Sequence, residues 1–283
     1  MDEKLQRDSY EAFHKIYTNI KQFGKLVAPR GQKVLEIENY SFTLPPYVRF
    51  ASFEARKLKL DYIKKEFLWY LKGDRYDLSI TEQASMWKTL INKDDSINSN
   101  YGQYIFYPFA GSNQFDKAIK FLSDDKDSRR ASVMILGRDH ILSDTNDLPC
   151  TYGMNFRIRD DKLNMSVMMR SMDAIFGMCN DIPTFSFTHE MVYMYLKDTY
   201  PNLELGTYYH NVNSAHVYER HFEMLDKIVD SSDIIPIDCP KMSNSTEASM
   251  LRSLHIGKFN EGSCGEFIKW ITDGTCSNSK QEN

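Results

Sequence analysis

Apolar residues recur at helical spacing near the start of the chain. Leu5, Tyr10, Phe13, Ile16, Tyr17 and Ile20 share one face, which predicts an amphipathic helix ending before Gly24. From Lys33 to Leu44 the pattern alternates loosely and stops at Pro45-Pro46, as a strand does. The stretch "DYIKKEFLWYLKGD" reads as a short helix halted at Gly73. Residues 92–113, rich in Asn, Ser, Gly and Tyr, are expected to be mostly loop, followed by a short helix from Asp116 to Ser123. Two β-like runs, "TYGMNFRIR" and "KLNMSVMMR", flank Asp160-Asp161 and predict a hairpin. From Ile182 to Leu196 the chain is apolar on nearly every face, which predicts a helix buried on most sides. Val217 to Val229 reads as a last amphipathic helix, and the residues from about 271 to 283 read as disordered. No repeat or long linker divides the chain, so the pattern predicts one α+β domain over residues 1–283.

One stretch breaks this pattern. "MMRSMDAIFGMCNDIPTF", residues 168–185, sets Arg170, Ser171, Asp173 and Asp181 among Met, Ile and Phe. An unpaired guanidinium is costly to bury, and a guanidinium fork beside a serine hydroxyl suits a phosphate. Elsewhere the candidates are weaker. Cys150 follows Pro149, which fixes a backbone corner, yet a lone Cys is usually a small buried hydrophobe. Arg129-Arg130 has the ordinary reading of solvated charge, and Glu66 lies beside Lys64 and Lys65 on what looks like a wet helix face. His216 and Tyr218 point the same way on a strand but not on a helix.

Composition narrows the field. Of the 283 residues 42% are apolar and 26% charged, which is the balance of a globular protein. A formal charge of −4 argues against a broad nucleic-acid surface, while leaving room for a local anion pocket. No run is long and apolar enough for a membrane span, and the charged start "MDEKLQRDSYEAF" lacks a signal-peptide core. Five cysteines at irregular spacing form neither a disulfide framework nor a zinc pattern. A reducing cytoplasm, the host's if the source is a phage, and the absence of any metal are the expectations.

Taken in order, the stretches "EFLWYLKGD", "SNYG", "DSRR", "PCT", "MRSMDAIFGMCND" and "NSAHVYERH" give the chain a close resemblance to the thymidylate synthase superfamily. The resemblance covers roughly Val34 to Leu225 and implies an α+β fold around a large mixed sheet, in a homodimer with shared active sites. It implies that Cys150 attacks C6 of a pyrimidine nucleoside monophosphate, with Tyr101 beside it. Arg170 and Ser171 would hold the phosphate, joined by Arg129 and Arg130 of the other subunit; Arg30, in "APRGQK", aligns as a further phosphate ligand. His216 and Tyr218 match the pair that holds the sugar 3′-hydroxyl. Trp87, Asp173 and Gly177 fall where the family contacts 5,10-methylenetetrahydrofolate, and Glu66 where it organises proton-transferring water. Arginines beside Cys150 are expected to lower its thiol pKa.

The position of Asp181 carries Asn in thymidylate synthases. An amide accepts from N3–H and donates to O4 of uracil. Cytosine reverses that edge, and a carboxyl group matches it by accepting from the amine and sharing a proton with N3. Asp181 is then also placed to supply that proton when Cys150 adds to C6. The plainer reading is that Asp181 caps a helix starting near Ile182. Asp here marks the phage-type deoxycytidylate hydroxymethylases within the superfamily. Thr151 stands where thymidylate synthases have His, Asn213-Ser214 where they have Gly-Asp, and the polar end "SNSKQEN" where they carry an apolar lid. Without a lid, water adds to the exocyclic methylene group and gives hydroxymethyl. The rivals are a methyltransferase of the same fold on dUMP or dCMP and a CMP hydroxymethylase. More distant are a Cys150–His216 hydrolase, for which no third orienting residue is evident, and a catalytically dead binding relative.

Overall fold

In the computed structural model, which describes residues 1–254 and 264–274, the first apolar stripe folds as helix α1 (Glu3–Phe23). The Asp2 carboxylate caps it by accepting from the Leu5 N–H at 2.7 Å. Phe13, Ile16, Tyr17 and Ile20 are buried on its inner face. Seven strands follow: β1 (Lys25–Val27), β2 (Val34–Leu44), β3 (Ser132–Met134), β4 (Thr151–Arg159), β5 (Lys162–Met169), β6 (Met172–Asp173) and β7 (Glu204–Tyr218). They form one mixed sheet in the order β1-β2-β7-β5-β4-β3, with β6 alongside β7. β7 pairs antiparallel with β2 and parallel with β5 and β6.

The predicted hairpin is present. Asp160 (φ 51°) and Asp161 (φ 53°) both take the left-handed conformation, the two-residue turn whose twist matches the strands it joins. Along β5, Leu163, Met165, Val167 and Met169 are buried, while Lys162 and Met168 are exposed and Asn164 and Ser166 half-buried. One face of the sheet therefore carries the core and the other stays partly open, with Tyr152, Met168 and Tyr209 exposed on it.

Helices cover the core face: α2 (Leu60–Lys72), α3 (Gly102–Ile105), α4 (Gln114–Asp124), α6 (Gly177–Lys197), α7 (Phe222–Val229), α8 (Ser245–Ser253) and α9 (Glu266–Ile271), while the short α5 (Arg138–Leu142) buries none of its residues. Gly73 (φ 63°) ends α2 where predicted. Gly102 lies so close to that end that a Cβ there would come within 1.6 Å of the Tyr70 carbonyl oxygen, so the loop carrying Tyr101 docks on α2 only with glycine at 102. No helix among the described residues is long and apolar enough to cross a membrane.

Three expectations need correction. Val217 and Tyr218 end strand β7 rather than starting a helix, and α7 begins only at Phe222. The helix expected from Ile182 starts at Gly177, because Pro183, a residue that favours a first turn, is here accommodated inside it. Residues 271–274 are placed: Ile271 is buried at the end of α9, and the Asp273 carboxylate takes a hydrogen bond from Lys64 at 2.5 Å. The remaining part of that expectation, 275–283, lies outside the described residues.

Inside the core, Arg49 is 3% exposed and Glu190, on α6, 0%. Their side chains form a short ion pair, and the other Glu190 oxygen accepts from the Met242 N–H at 2.8 Å. Removing one charge of such a pair strands the other. Glu190→Gln should therefore cost about 3–5 kcal/mol of folding stability in urea titration. A loss below about 1 kcal/mol would show that the pair is not needed to hold α6 on the 239–242 segment.

Candidate active site

Cys150 sits on the corner where a loop enters β4, and Arg170 fixes that corner. Just past the end of β5, its Nη2 donates to the Leu148 carbonyl at 2.6 Å and its Nε to that of Pro149 at 3.0 Å. Its backbone N–H donates to the Cys150 carbonyl at 2.8 Å, so three consecutive carbonyls are held by one residue. On the upstream side the buried Asp147 carboxylate accepts from the Ser99 N–H at 2.6 Å and from its hydroxyl at 2.5 Å. The β4 register shifts between Thr151 and Gly153, where a Cβ would come within 2.2 Å of the Val133 carbonyl oxygen. Arg170 and Arg30 do lower the Cys150 thiol pKa, but burial outweighs them and the net shift is upward. The expected activation by arginine alone is thus corrected, since loss of water is the larger effect.

Asp181 lies in the second turn of α6, not at its cap, so the capping role falls away. The residue keeps part of its surface open, while protein packs around its carboxyl group. Loss of water, then the nearby Asp173 charge, push its pKa up to about 7. The Asp181 charge in turn bears on Cys150, Glu66, Tyr70, Tyr101 and Tyr208, which marks all of these as its neighbours. Gly177 borders the same space, since a Cβ there would lie 3.7 Å from the Asp173 Cβ and 3.8 Å from the Asp181 Oδ2. Glu66 is 3% exposed on the inner face of α2, not on a wet face as its lysine neighbours implied. Burial first and Asp181 second raise its pKa to about 8, against a hydrogen bond from Tyr62 that lowers it.

The walls are aromatic and rigid. Tyr101 stacks between Tyr70 at 5.4 Å and Phe185 at 5.9 Å. Trp87 packs against Trp69 at 5.3 Å. His216 and Tyr218 sit on β7, so their spacing of two does place both rings on one side, with centroids 5.1 Å apart. Asp173 stands opposite His216 in the β6–β7 pairing, and its carboxylate accepts from the Ile175 N–H at 3.0 Å. Ser171 lies half-buried between Arg170 and β6.

Arg129 and Arg130 are not brought to this cluster. Both are exposed ahead of β3, and the Arg130 guanidinium lies over the Phe121 ring at 4.7 Å. Arg30 is exposed in a left-handed turn (φ 52°), close enough for its charge to reach Cys150. Tyr62, Asp147, Ser99 and Tyr208 were not singled out from the sequence. Tyr62 was findable, because it lies four residues before Glu66 and so shares its helix face. Among the described residues no group of three His, Cys, Asp or Glu is arranged to hold a metal ion.

The two raised carboxyls carry a sign that can be measured. Their folded pKa values, about 7 and about 8, exceed the unfolded 3.8 and 4.5. The native state therefore holds extra protons, and the stability they lend is complete below the unfolded values and is lost progressively as pH rises from there through the folded values of about 7 and about 8. Between about pH 5 and pH 7 the wild type should lose more stability than Asp181→Asn, by up to about 1.4 kcal/mol per pH unit. Identical slopes in urea titrations of the two proteins would contradict the burial of this carboxyl.

The Thymidylate synthase family model matches residues 11–260. Deoxycytidylate 5-hydroxymethyltransferase of Enterobacteria phage T4 is 31% identical over 215 residues, spanning 73% of this chain and 85% of the relative. The enzyme of the same name from Enterobacteria phage T2 gives the same figures. Deoxyuridylate hydroxymethyltransferase of Bacillus phage SP01 is 27% identical over 217 residues, 72% of this chain and 55% of that relative. With a family match over most of its length and a mixed sheet flanked by helices, the chain belongs to the thymidylate synthase family of folate-dependent enzymes.

Proposed function

We propose that the protein is a deoxycytidylate 5-hydroxymethyltransferase. It moves a one-carbon unit from 5,10-methylenetetrahydrofolate to C5 of dCMP and adds water, giving 5-hydroxymethyl-dCMP and tetrahydrofolate. The observation that carries this reading is a carboxyl group, Asp181, pushed up to about 7 within the charge neighbourhood of Cys150. A group poised there can give a proton and take it back near neutral pH. Cytosine needs such a group, because N3 becomes basic when sulfur adds to C6. An amide can form hydrogen bonds to the same edge but has no proton to give.

The Cys150 sulfur bonds to C6, its thiol proton leaves, and the C5–C6 pair moves toward C4 and N3, where Asp181 supplies a proton. C5, now nucleophilic, accepts the one-carbon unit that methylenetetrahydrofolate supplies. Loss of the C5 proton then breaks the bond between the new carbon and the folate nitrogen, tetrahydrofolate leaves with that electron pair, and an exocyclic methylene group remains on C5. Water oxygen bonds to that methylene carbon, the pair returns through the ring, and the C6–S bond breaks with sulfur leaving as thiolate. Glu66 handles the proton of the water, and Tyr101 walls the sulfur. His216 and Tyr218, paired on β7, suit the sugar hydroxyl, and Arg30, Arg170 and Ser171 the phosphate. Trp87, Asp173 and Gly177 line the folate side.

Arg129 and Arg130, exposed and apart from Cys150, fit a role in a second subunit's site. The partly open sheet face with Tyr152, Met168 and Tyr209 fits a homodimer that supplies them. The names of the phage T4 and T2 relatives support dCMP, whereas that of the SP01 relative favours dUMP as the second reading.

The test is kcat/KM for dCMP and dUMP, at saturating folate, in wild type and Asp181→Asn. The variant should lose dCMP turnover and gain dUMP turnover, a change in preference on the order of 10² to 10⁴-fold. The dCMP loss should fall chiefly on kcat, since a proton rather than a contact is removed. A preference that stays within a few-fold would withdraw the cytosine assignment.

A further inference from the structure

A relay of three side chains ends on the Glu66 carboxyl group. The Trp87 indole N–H donates to the Tyr62 hydroxyl oxygen at 2.9 Å. The Tyr62 hydroxyl donates in turn to Glu66 Oε1 at 2.7 Å. The second oxygen, Glu66 Oε2, is buried and has no hydrogen-bond partner among the described residues. Glu66 and Tyr62 lie one helical turn apart on α2, and Trp87 reaches them from a short turn at Ser85–Thr89. A buried polar atom left unpaired in this way is costly unless something meets it.

We propose that Tyr62 is a positioning residue for the water-addition step, holding Glu66 by Oε1 so that Oε2 alone is offered to the reacting water. This rests on the hydroxymethyltransferase reading above. In that step water oxygen bonds to the methylene carbon and one water proton passes to Oε2. The freed pair returns through the ring as sulfur leaves C6. A free carboxylate would have two equivalent oxygens and a rotating group. With Tyr62 in place, one oxygen is fixed as an acceptor and the rotamer is set before water arrives, which is the geometry a proton transfer needs. The Trp87 donation polarises the Tyr62 hydroxyl and makes it the stronger donor. It also ties the carboxyl to an indole on the folate side, so the relay is complete only when that wall is in place.

The titratable groups facing Glu66 are Tyr62 and Tyr70 from its own helix and Asp181 from α6. Asp181 raises the Glu66 pKa and the Tyr62 hydrogen bond lowers it. Tyr62 thereby keeps more of the carboxyl group ionised, as a proton acceptor must be.

The test uses two readouts on Tyr62→Phe. The first is the pH profile of dCMP turnover. At neutral pH kcat should fall about tenfold and recover as pH rises, with KM for dCMP little changed. The second is the infrared carboxyl band of the ligand-free protein, assigned to Glu66 by its loss in Glu66→Gln. Its titration should move to higher pH in Tyr62→Phe, and to lower pH when fluorotyrosine, a stronger donor, replaces Tyr62. The fluorotyrosine protein keeps the test open should the Phe variant fail to fold. A band that titrates at the same pH in all forms overturns the positioning role. If the band moves but dCMP is not hydroxymethylated, the relay stands and the functional reading falls.

Discussion

Removing water from carboxyl groups is the constraint on which this site depends. Helix α6 is apolar on nearly all sides and packs through the middle of the core, yet it carries Asp181 in its second turn. A charged carboxylate held there is expensive, so the group keeps its proton to near neutral pH. Glu66, facing it from α2, is pushed further in the same direction. Two acids that release their protons at pH about 7 and about 8 are what the proposed reaction, which protonates a ring and deprotonates a water, would require. The apolar packing that makes α6 a stable core helix is thus also what keeps these carboxyl groups protonated.

The remaining architecture holds those groups in register with the sulfur. Arg170 grips the carbonyls of Leu148, Pro149 and Cys150, and Asp147 ties the same loop to Ser99, so Cys150 is held in place. Because burial also raises the Cys150 thiol pKa, the resting sulfur is held protonated more firmly than its arginine neighbours alone would allow. The long strand β7 contributes from the other side by putting His216 and Tyr218 on one face next to Asp173.

Much of this was legible in the chain because local patterns carry it. The stripe of α1, the paired Asp turn between β4 and β5, the stop at Gly73 and the polar residues of 168–185 each declare themselves within a few residues. β7 did not, because its inward side alternates Tyr208, His210 and Val212 with Asn and Ser, and buried His210 looks polar in sequence. The start of α6 was misplaced because Pro183 imitates a first-turn proline. Glu66 was legible as a motif but not as a buried acid, since its flanking lysines point to a wet face. The sign of the Cys150 shift was not legible at all, because burial is a property of the fold and charge counting sees only the arginines.

In the proposed reaction water, not hydride, completes the transfer on a cytosine ring. Incubating the protein with methylenetetrahydrofolate and dCMP in heavy-oxygen water, then weighing the nucleotide product, tests it directly. The product should be heavier by the elements of formaldehyde, its new oxygen taken from the labelled water, with tetrahydrofolate released. A methylated product accompanied by dihydrofolate, or turnover of dUMP with none of dCMP, would contradict it.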